Sequence, residues 1–240
     1  MCGIAGLIKD DGPDLAVVRR MTEVMAHRGP DEEGFWSDEV TALGQRRLSI
    51  IDIESGQQPM TNEDGSLVLV CNGEIYNSPS LREELVRNGH VFKTRTDVEV
   101  ILHLYENMGH ECVRKLRGMF AFALWDAKGK TLMLARDHLG QKPVFFHHGN
   151  GVFVFASEVK GVLESGLVER RIDLEALWHY MSLRFIPDRM TLFVGVQKLP
   201  AASYLIYREG EVTVERYWSL DYRNKLRMDN REIEDRLNDV

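Results

Sequence analysis

The second residue is a cysteine, set directly behind the initiator methionine in the opening stretch MCGIAGLI. A thiol attacks well only as its thiolate, so a nucleophilic cysteine needs a base or a cationic neighbour. Removing Met1 would give Cys2 a free α-amine on its own Cα. Such amines have a reference pKa of about 7.7–8.0, against about 10.4 for lysine, so roughly a seventh are neutral at pH 7. With Met1 attached the same nitrogen is an amide and has no basicity to offer. The dipeptide alone leaves two readings open: a small apolar residue in an edge strand, or a nucleophile and base on one residue.

The elements that would carry such a residue follow from periodicity. Gly3 to Ile8 is a short apolar strand, and residues 14–26 place Leu15, Val18, Met21, Val24 and Met25 at helical spacing. HRGPDEEG (27–34) has loop chemistry. TALGQRRLSIID and LVLVCNGEIYN are β-rich, the second broken by a turn at Asn72-Gly73. Ser78-Pro79 predicts an N-cap with proline opening a helix to about Asn88-Gly89. TDVE (96–99) has capping-box spacing ahead of a helix through Ile101, Leu104 and Tyr105. Strand-like runs MFAFALWD, TLMLARD, PVFFHH and GVFVFAS come next, then short helices near 157–164 and 173–183, then strands near 203–208 and 211–217. This order lacks a regular βαβ alternation and predicts an α+β fold of antiparallel sheets sandwiched by helices. Near the end, Ile233, Leu237 and Val240 share one face of a charged helix.

Composition narrows the partners. The chain has 240 residues, 44% hydrophobic and 28% charged, with a formal charge of −7. An acidic balance argues against a phosphate-backbone partner. Three cysteines (Cys2, Cys71, Cys112) without CxxC spacing exclude a disulfide framework, and the eight histidines show no metal spacing. The longest apolar run, Met119 to Trp125, is too short to span a bilayer. The expectation is a soluble cytoplasmic protein that binds neither nucleic acid nor membrane. Cys71 reads as core and Cys112 as a helix residue without chemical consequence.

Seven motifs occur in one order: CGIAG (2–6), HRGPD (27–31), RRLSIID (46–52), NGEIYN (72–77), TDVEVIL (96–102), GMFAFALWD (118–126) and RDHLGQKPVF (136–145). Together they resemble the glutamine amidotransferase domain of asparagine synthetases, a class II amidotransferase with the N-terminal-nucleophile (Ntn) hydrolase fold. The resemblance runs from Cys2 to about Trp218 and implies a four-layer αββα sandwich. It also implies a site. Cys2 would attack the side-chain amide of L-glutamine with its own amine as base, and Asn72 and Gly73 would supply the oxyanion hole. Arg47 would grip the substrate carboxylate, helped by main-chain groups of Leu48, Ser49, Ile50 and Ile51. Glu74 and Asp97 would receive the substrate ammonium. These residue types suit those tasks: a guanidinium matches a carboxylate bidentately, and two carboxylates suit an ammonium with three donors. His27 and His138 read as loop-shaping hydrogen bonders, and RDHLG and SEVK (157–160) as structural or domain-facing. Gln45-Arg46 departs from the pair expected before Arg47.

The same resemblance implies a second half that the sequence lacks. No Ser-Gly-Gly-x-Asp-Ser phosphate loop and no Walker A loop occurs. The expectation is therefore a glutaminase domain over residues 1–216, and over 217–240 a linker with the first helix of an absent C-terminal synthetase domain. That domain would be the protein partner, and ATP and magnesium would belong to it. No metal or cofactor is expected in these 240 residues, and a homodimer stays open. Two alternatives remain: the glutaminase domain of another class II amidotransferase, or a catalytically silent association module.

Overall fold

The apolar strand behind Cys2 becomes β1 (Gly3–Lys9), and its neighbours explain its composition. It pairs antiparallel with β3 (Thr41–Arg47) on one side and β9 (Val152–Ala156) on the other, so both of its edges are paired. Side chains alternate across a strand. Ile4 and Ile8 face a core shared with the second sheet, whereas Ala5 and Leu7 face α1 (Leu15–Glu23). The computed structural model describes residues 1–187, 189–223 and 228–238.

The remaining elements in chain order include β2 (Glu32–Ser37), β4 (Met60–Thr61), β5 (Leu67–Ile75), α2 (Ser78–Arg87) and α3 (Val100–Met108). β6 (Gly118–Asp126), β7 (Thr131–Arg136), β8 (Phe145–Gly149) and α4 (Val159–Glu164) follow. α5 (Leu174–Leu183), β10 (Gln197–Lys198), β11 (Ser203–Arg208), β12 (Glu211–Arg216) and α6 (Asn230–Asn238) complete the described chain. The strands form two six-stranded sheets, β10-β8-β9-β1-β3-β2 and β12-β11-β7-β6-β5-β4, with antiparallel pairing throughout.

Three apolar layers hold these parts together. Between the sheets, Ile4, Leu43, Phe153 and Phe155 of the first meet Val68, Val70, Ala123 and Trp125 of the second. Outside the first sheet, Val18 and Met21 of α1 and Val162 of α4 cover Ala5, Ala42 and Val154. Outside the second, Leu81 and Leu85 of α2 and Ile101 and Leu104 of α3 cover Leu69, Phe120 and Phe122. The result is the α+β sandwich expected, with helices over both sheets.

Several local expectations are corrected. β5 runs unbroken through Asn72 and Gly73, neither of which has positive φ, because pairing with β6 extends over all nine residues. The Asn-Gly turn propensity is overridden by that ladder. The capping box is not made either: Glu99 accepts from the Lys93 and Thr94 N–H groups, and the Thr96 hydroxyl pairs with Thr94. The helix begins only at Val100, so Asp97 lies ahead of its first turn. The N-cap position of α2 is Asn77, one residue before the predicted Ser78, and its side chain bonds the Lys115 carbonyl and the Arg117 N–H rather than capping the helix. Residues 32–34 of the predicted loop belong to the edge strand β2. At the C-terminus, Ile233 and Leu237 are exposed on α6, and Val240 lies outside the described residues.

Gly6 shows how tightly the sheets meet. A Cβ there would enter the Phe155 ring and crowd Leu43. Gly6→Ala should therefore cost about 1–3 kcal/mol of stability through overpacking, read as a lower denaturant midpoint with an unchanged slope.

Candidate active site

Strand alternation decides which residues meet. Cys2 lies two residues before Ile4 and so shares its inward face, and Gly3 pairs with Arg46, bringing Cys2 level with Arg47. On the second sheet Asn72 and Glu74 continue the inward series of Val68 and Val70. The two series run out of apolar side chains at the same end of the sandwich. There they open into a cavity of about 340 Å³ lined by Cys2, Arg47, Asn72, Gly73, Glu74 and Asp97. Leu48, Ile50 and Ile51 also line it. Ser49 is the one predicted residue outside the lining; its N–H instead donates to Asp31 at 2.9 Å.

Cys2 is half-buried, with Sγ 3.9 Å from the Leu48 carbonyl. Its own carbonyl accepts from Arg28 Nε at 2.9 Å, and the buried Arg28 guanidinium is held in turn by Glu158 at 3.0 Å. Glu158 also meets His27 at 2.9 Å and Lys160 at 3.3 Å, and its carboxyl lies below the usual range, since these partners outweigh its burial. Ser157 Oγ accepts from Ile4 N–H, and Ser157 N–H donates to the Ile4 carbonyl. The HRGPD and SEVK motifs thus clamp the strand that presents Cys2. Met1 is exposed and lies on the cavity wall beside it.

Asn72 is almost fully buried, and its Nδ2 has no hydrogen-bond partner. A buried, unpartnered donor is costly, and one facing a cavity can be satisfied only by what enters it. The neighbouring Gly73 is required by close approach: a Cβ would strike the Met119 carbonyl and the Phe120 backbone on β6. Gln58 Oε1 accepts from Cys71 N–H at 2.6 Å and Gln45 Nε2 donates to the Cys71 carbonyl at 2.8 Å, fixing the backbone next to Asn72. Burial pushes the Cys71 thiol well up, with the charges of Asp97 and Cys2 adding to it, so it stays a protonated core residue. Burial likewise pushes Cys112 up to about 12.

Arg47 is buried and heavily engaged. Nη1 pairs with Glu32 at 2.7 Å, and Nη2 donates to the Ile51 and Asp52 carbonyls at 3.0 and 2.8 Å. It therefore shapes the 48–53 loop as well as lining the cavity. Asp52 in turn accepts from Arg95 N–H at 2.7 Å, tying this loop to the 89–99 segment that carries Asp97. Burial pushes the Asp97 carboxyl up and the charge of Glu74 adds to this, against the opposing effect of the Ile75 N–H, which it accepts at 2.6 Å.

Other residues were not visible from spacing. Lys142 is buried and lines the cavity, the cationic end of a knot in which Asp137 accepts from the Phe120, Gln141 and Lys142 N–H groups. Arg136 in that knot donates to the Lys142 and Leu199 carbonyls. His138 packs edge-on against Tyr217 and Trp218. Lys142, inside the RDHLGQKPVF motif whose RDHLG part reads as structural or domain-facing, and Gln58 reach the site from distant segments.

The chain is similar to known proteins. The chain is 38% identical over 229 residues to asparagine synthetase (glutamine-hydrolyzing) 1 of Bacillus subtilis, covering 93% of this chain and 36% of that protein. It is 40% identical over 243 residues to a putative asparagine synthetase (glutamine-hydrolyzing) of Mycobacterium bovis, covering 91% and 37%. The chain thus spans little more than a third of these relatives. Among solved structures, glutamine phosphoribosylpyrophosphate amidotransferase from B. subtilis superposes with a TM-score of 0.66 at 19% identity, covering 90% of this chain and 49% of that one. That likeness shows the fold: the Ntn-type sandwich. The glutamine amidotransferase domain family matches residues 1–218, and the chain belongs to it.

Proposed function

We propose that the cavity hydrolyses L-glutamine to L-glutamate and ammonia through a thioester on Cys2. The observation that carries this reading is the unpartnered Asn72 Nδ2, buried on a wall shared with the Cys2 thiol. Around it the cavity offers opposite charges at separate places, Arg47 on one strand and Glu74 with Asp97 on the facing sheet and its loop. A free amino acid carries that same pair of charges.

The chemistry starts when Met1 is removed and the nitrogen of Cys2 becomes an amine. The amine takes the thiol proton, and the thiolate attacks the carboxamide carbon. Asn72 Nδ2–H and Gly73 N–H donate to the oxyanion of the tetrahedral adduct. The Cys2 ammonium then returns its proton to the leaving nitrogen, ammonia departs, and the C–N bond has been replaced by C–S. Water, deprotonated by the same amine, adds to the thioester. Collapse releases glutamate and restores the thiol. Arg47, with main-chain groups of the 48–51 loop, holds the α-carboxylate, and Glu74 and Asp97 hold the α-ammonium. Fixing both α-groups sets the reach to the sulfur, which separates glutamine from asparagine by one methylene.

Relatives named asparagine synthetase (glutamine-hydrolyzing) support the reading in which the ammonia passes to a synthetase domain following this one. On this reading residues 1–216 are the glutaminase unit and 217–240 lead into the next domain. We assign ATP and magnesium to that synthetase domain as well, and the steps above use neither. Three free thiols suit a reducing, cytoplasmic setting.

Intact mass and a glutaminase assay on the same sample test the reading. Met-free protein should release glutamate and ammonia, whereas Cys2→Ala and Met1-retaining protein should release none. Turnover by either would overturn the mechanism. Asn72→Ala should lower kcat by about 10²–10³, and Arg47→Lys should raise KM more than it lowers kcat, because a lysine ammonium cannot keep the contacts to Glu32 and the 51–52 carbonyls while also facing a carboxylate. Asp97 gives a separate test through its raised pKa. The folded state holds that proton more tightly than the unfolded one, so ionised Asp97 destabilises the fold above its folded pKa, and the penalty fades as pH falls through it. Asp97→Asn should therefore be more stable than the parent in urea at pH 7, with the gain shrinking in acid, while its KM for glutamine rises.

A further inference from the structure

On the helical side of the second sheet, four side chains from three separate segments converge. Glu63 lies in the turn between β4 and β5, His90 follows α2, and His103 and Glu106 sit on one face of α3. One donor atom from each lies within 4.8 Å of all the others. Both imidazoles turn Nδ1 inward: His90 Nδ1 is 3.1 Å and His103 Nδ1 3.0 Å from the same Glu106 oxygen, Oε2, and Glu63 Oε1 is 3.7 Å from His103 Nδ1.

The outer atoms of these rings also face acceptors. His90 Nε2 lies 3.1 Å from the Asn107 side-chain oxygen, and the tautomer with its hydrogen on Nε2 leaves a lone pair on Nδ1. His103 is fully enclosed, and its Nε2 faces the Glu99 carboxylate at 3.9 Å with no hydrogen bond completed. A hydrogen there again leaves a lone pair on Nδ1. The inward-facing carboxylates are themselves braced, Glu106 by Asn62 Nδ2 at 2.8 Å and Glu63 by the Val91 N–H at 3.1 Å. Two imidazoles with an acceptor on the outer side, together with two braced carboxylates, match the way proteins orient ligands to a metal ion. Ring nitrogens and carboxylate oxygens this close call for a positive charge between them, either a metal ion or a proton.

We propose that Glu63, His90, His103 and Glu106 form a structural binding site for a zinc-class divalent cation. Imidazole and carboxylate ligands suit zinc, and two imidazoles disfavour magnesium and calcium, which take oxygen. Tetrahedral zinc holds its ligand atoms about 3.4 Å apart. Reaching that spacing asks the Glu106 carboxylate to swing out from between the rings and Glu63, on an exposed turn, to close in. The cation would tie the β4–β5 turn to α3 and to the start of the segment that runs on to Thr96 and Asp97 in the cavity. The competing occupant is a proton: burial draws the His103 pKa down, but Glu99, Glu106 and Glu63 outweigh it and hold it above the ordinary value.

Titration of the untagged full chain with Zn²⁺ alone separates these occupants. Cys2→Ala is used throughout, so that the N-terminal thiol and amine cannot chelate. One equivalent should bind, raise Tm, and bind at least about tenfold more weakly in His90→Gln and in Glu106→Gln, but unchanged in His110→Gln. Both test residues are partly solvated, and circular dichroism checks that the variants fold. Co²⁺ in place of zinc should give tetrahedral visible bands without a thiolate charge-transfer band. Absence of stoichiometric zinc, equal affinity in His90→Gln, or a thiolate band would each overturn the site.

Discussion

The alternation of side chains along β1, β3 and β5 governs everything else in this molecule. The same inward faces that seal the two sheets with Ile4, Leu43, Val68 and Val70 end in Cys2, Arg47, Asn72 and Glu74. Site and core are consecutive stretches of one pattern, and the cavity begins where apolar residues give way to polar ones. A register slip of one residue in β5 would turn Asn72 outward and bury Gly73 in its place. The pairing of all nine β5 residues with β6 stands against such a slip.

Much of this was legible from the residues. Apolar runs gave the central strands, 3.6-residue spacing gave α1, and ordered motifs named the residues that the cavity collects. What was not legible shares one cause, competition from partners distant in sequence. Asn72-Gly73 reads as a turn until β6 supplies a ladder. Thr96 and Glu99 read as a capping box until Lys93 and Thr94 take the carboxylate. Glu32 and Glu33 read as loop until Arg47 and Arg46, opposite them in the register, accept their charge. Gln58, and Glu63 and His90 in their approach to His103 and Glu106 on α3, come from segments whose spacing carries no sign of their meeting.

The cavity balances rigidity against electrostatic cost. Arg47 is fixed by Glu32 and two carbonyls, so its guanidinium is oriented before any ligand arrives. Preorganisation of this kind removes reorganisation from the reaction coordinate. Asp97, by contrast, is held against its preference, buried beside another carboxylate. An ammonium would relieve that strain, which is how a binding site can be less comfortable alone than occupied.

Met1 stands on the wall of this cavity as an exposed side chain, while its carbonyl keeps the next nitrogen in amide form. On the reading given above, a single cleavage would widen the mouth and create the base together. Until that cleavage the folded chain would carry the nucleophile without its base, so turnover would require an aminopeptidase as well as the fold.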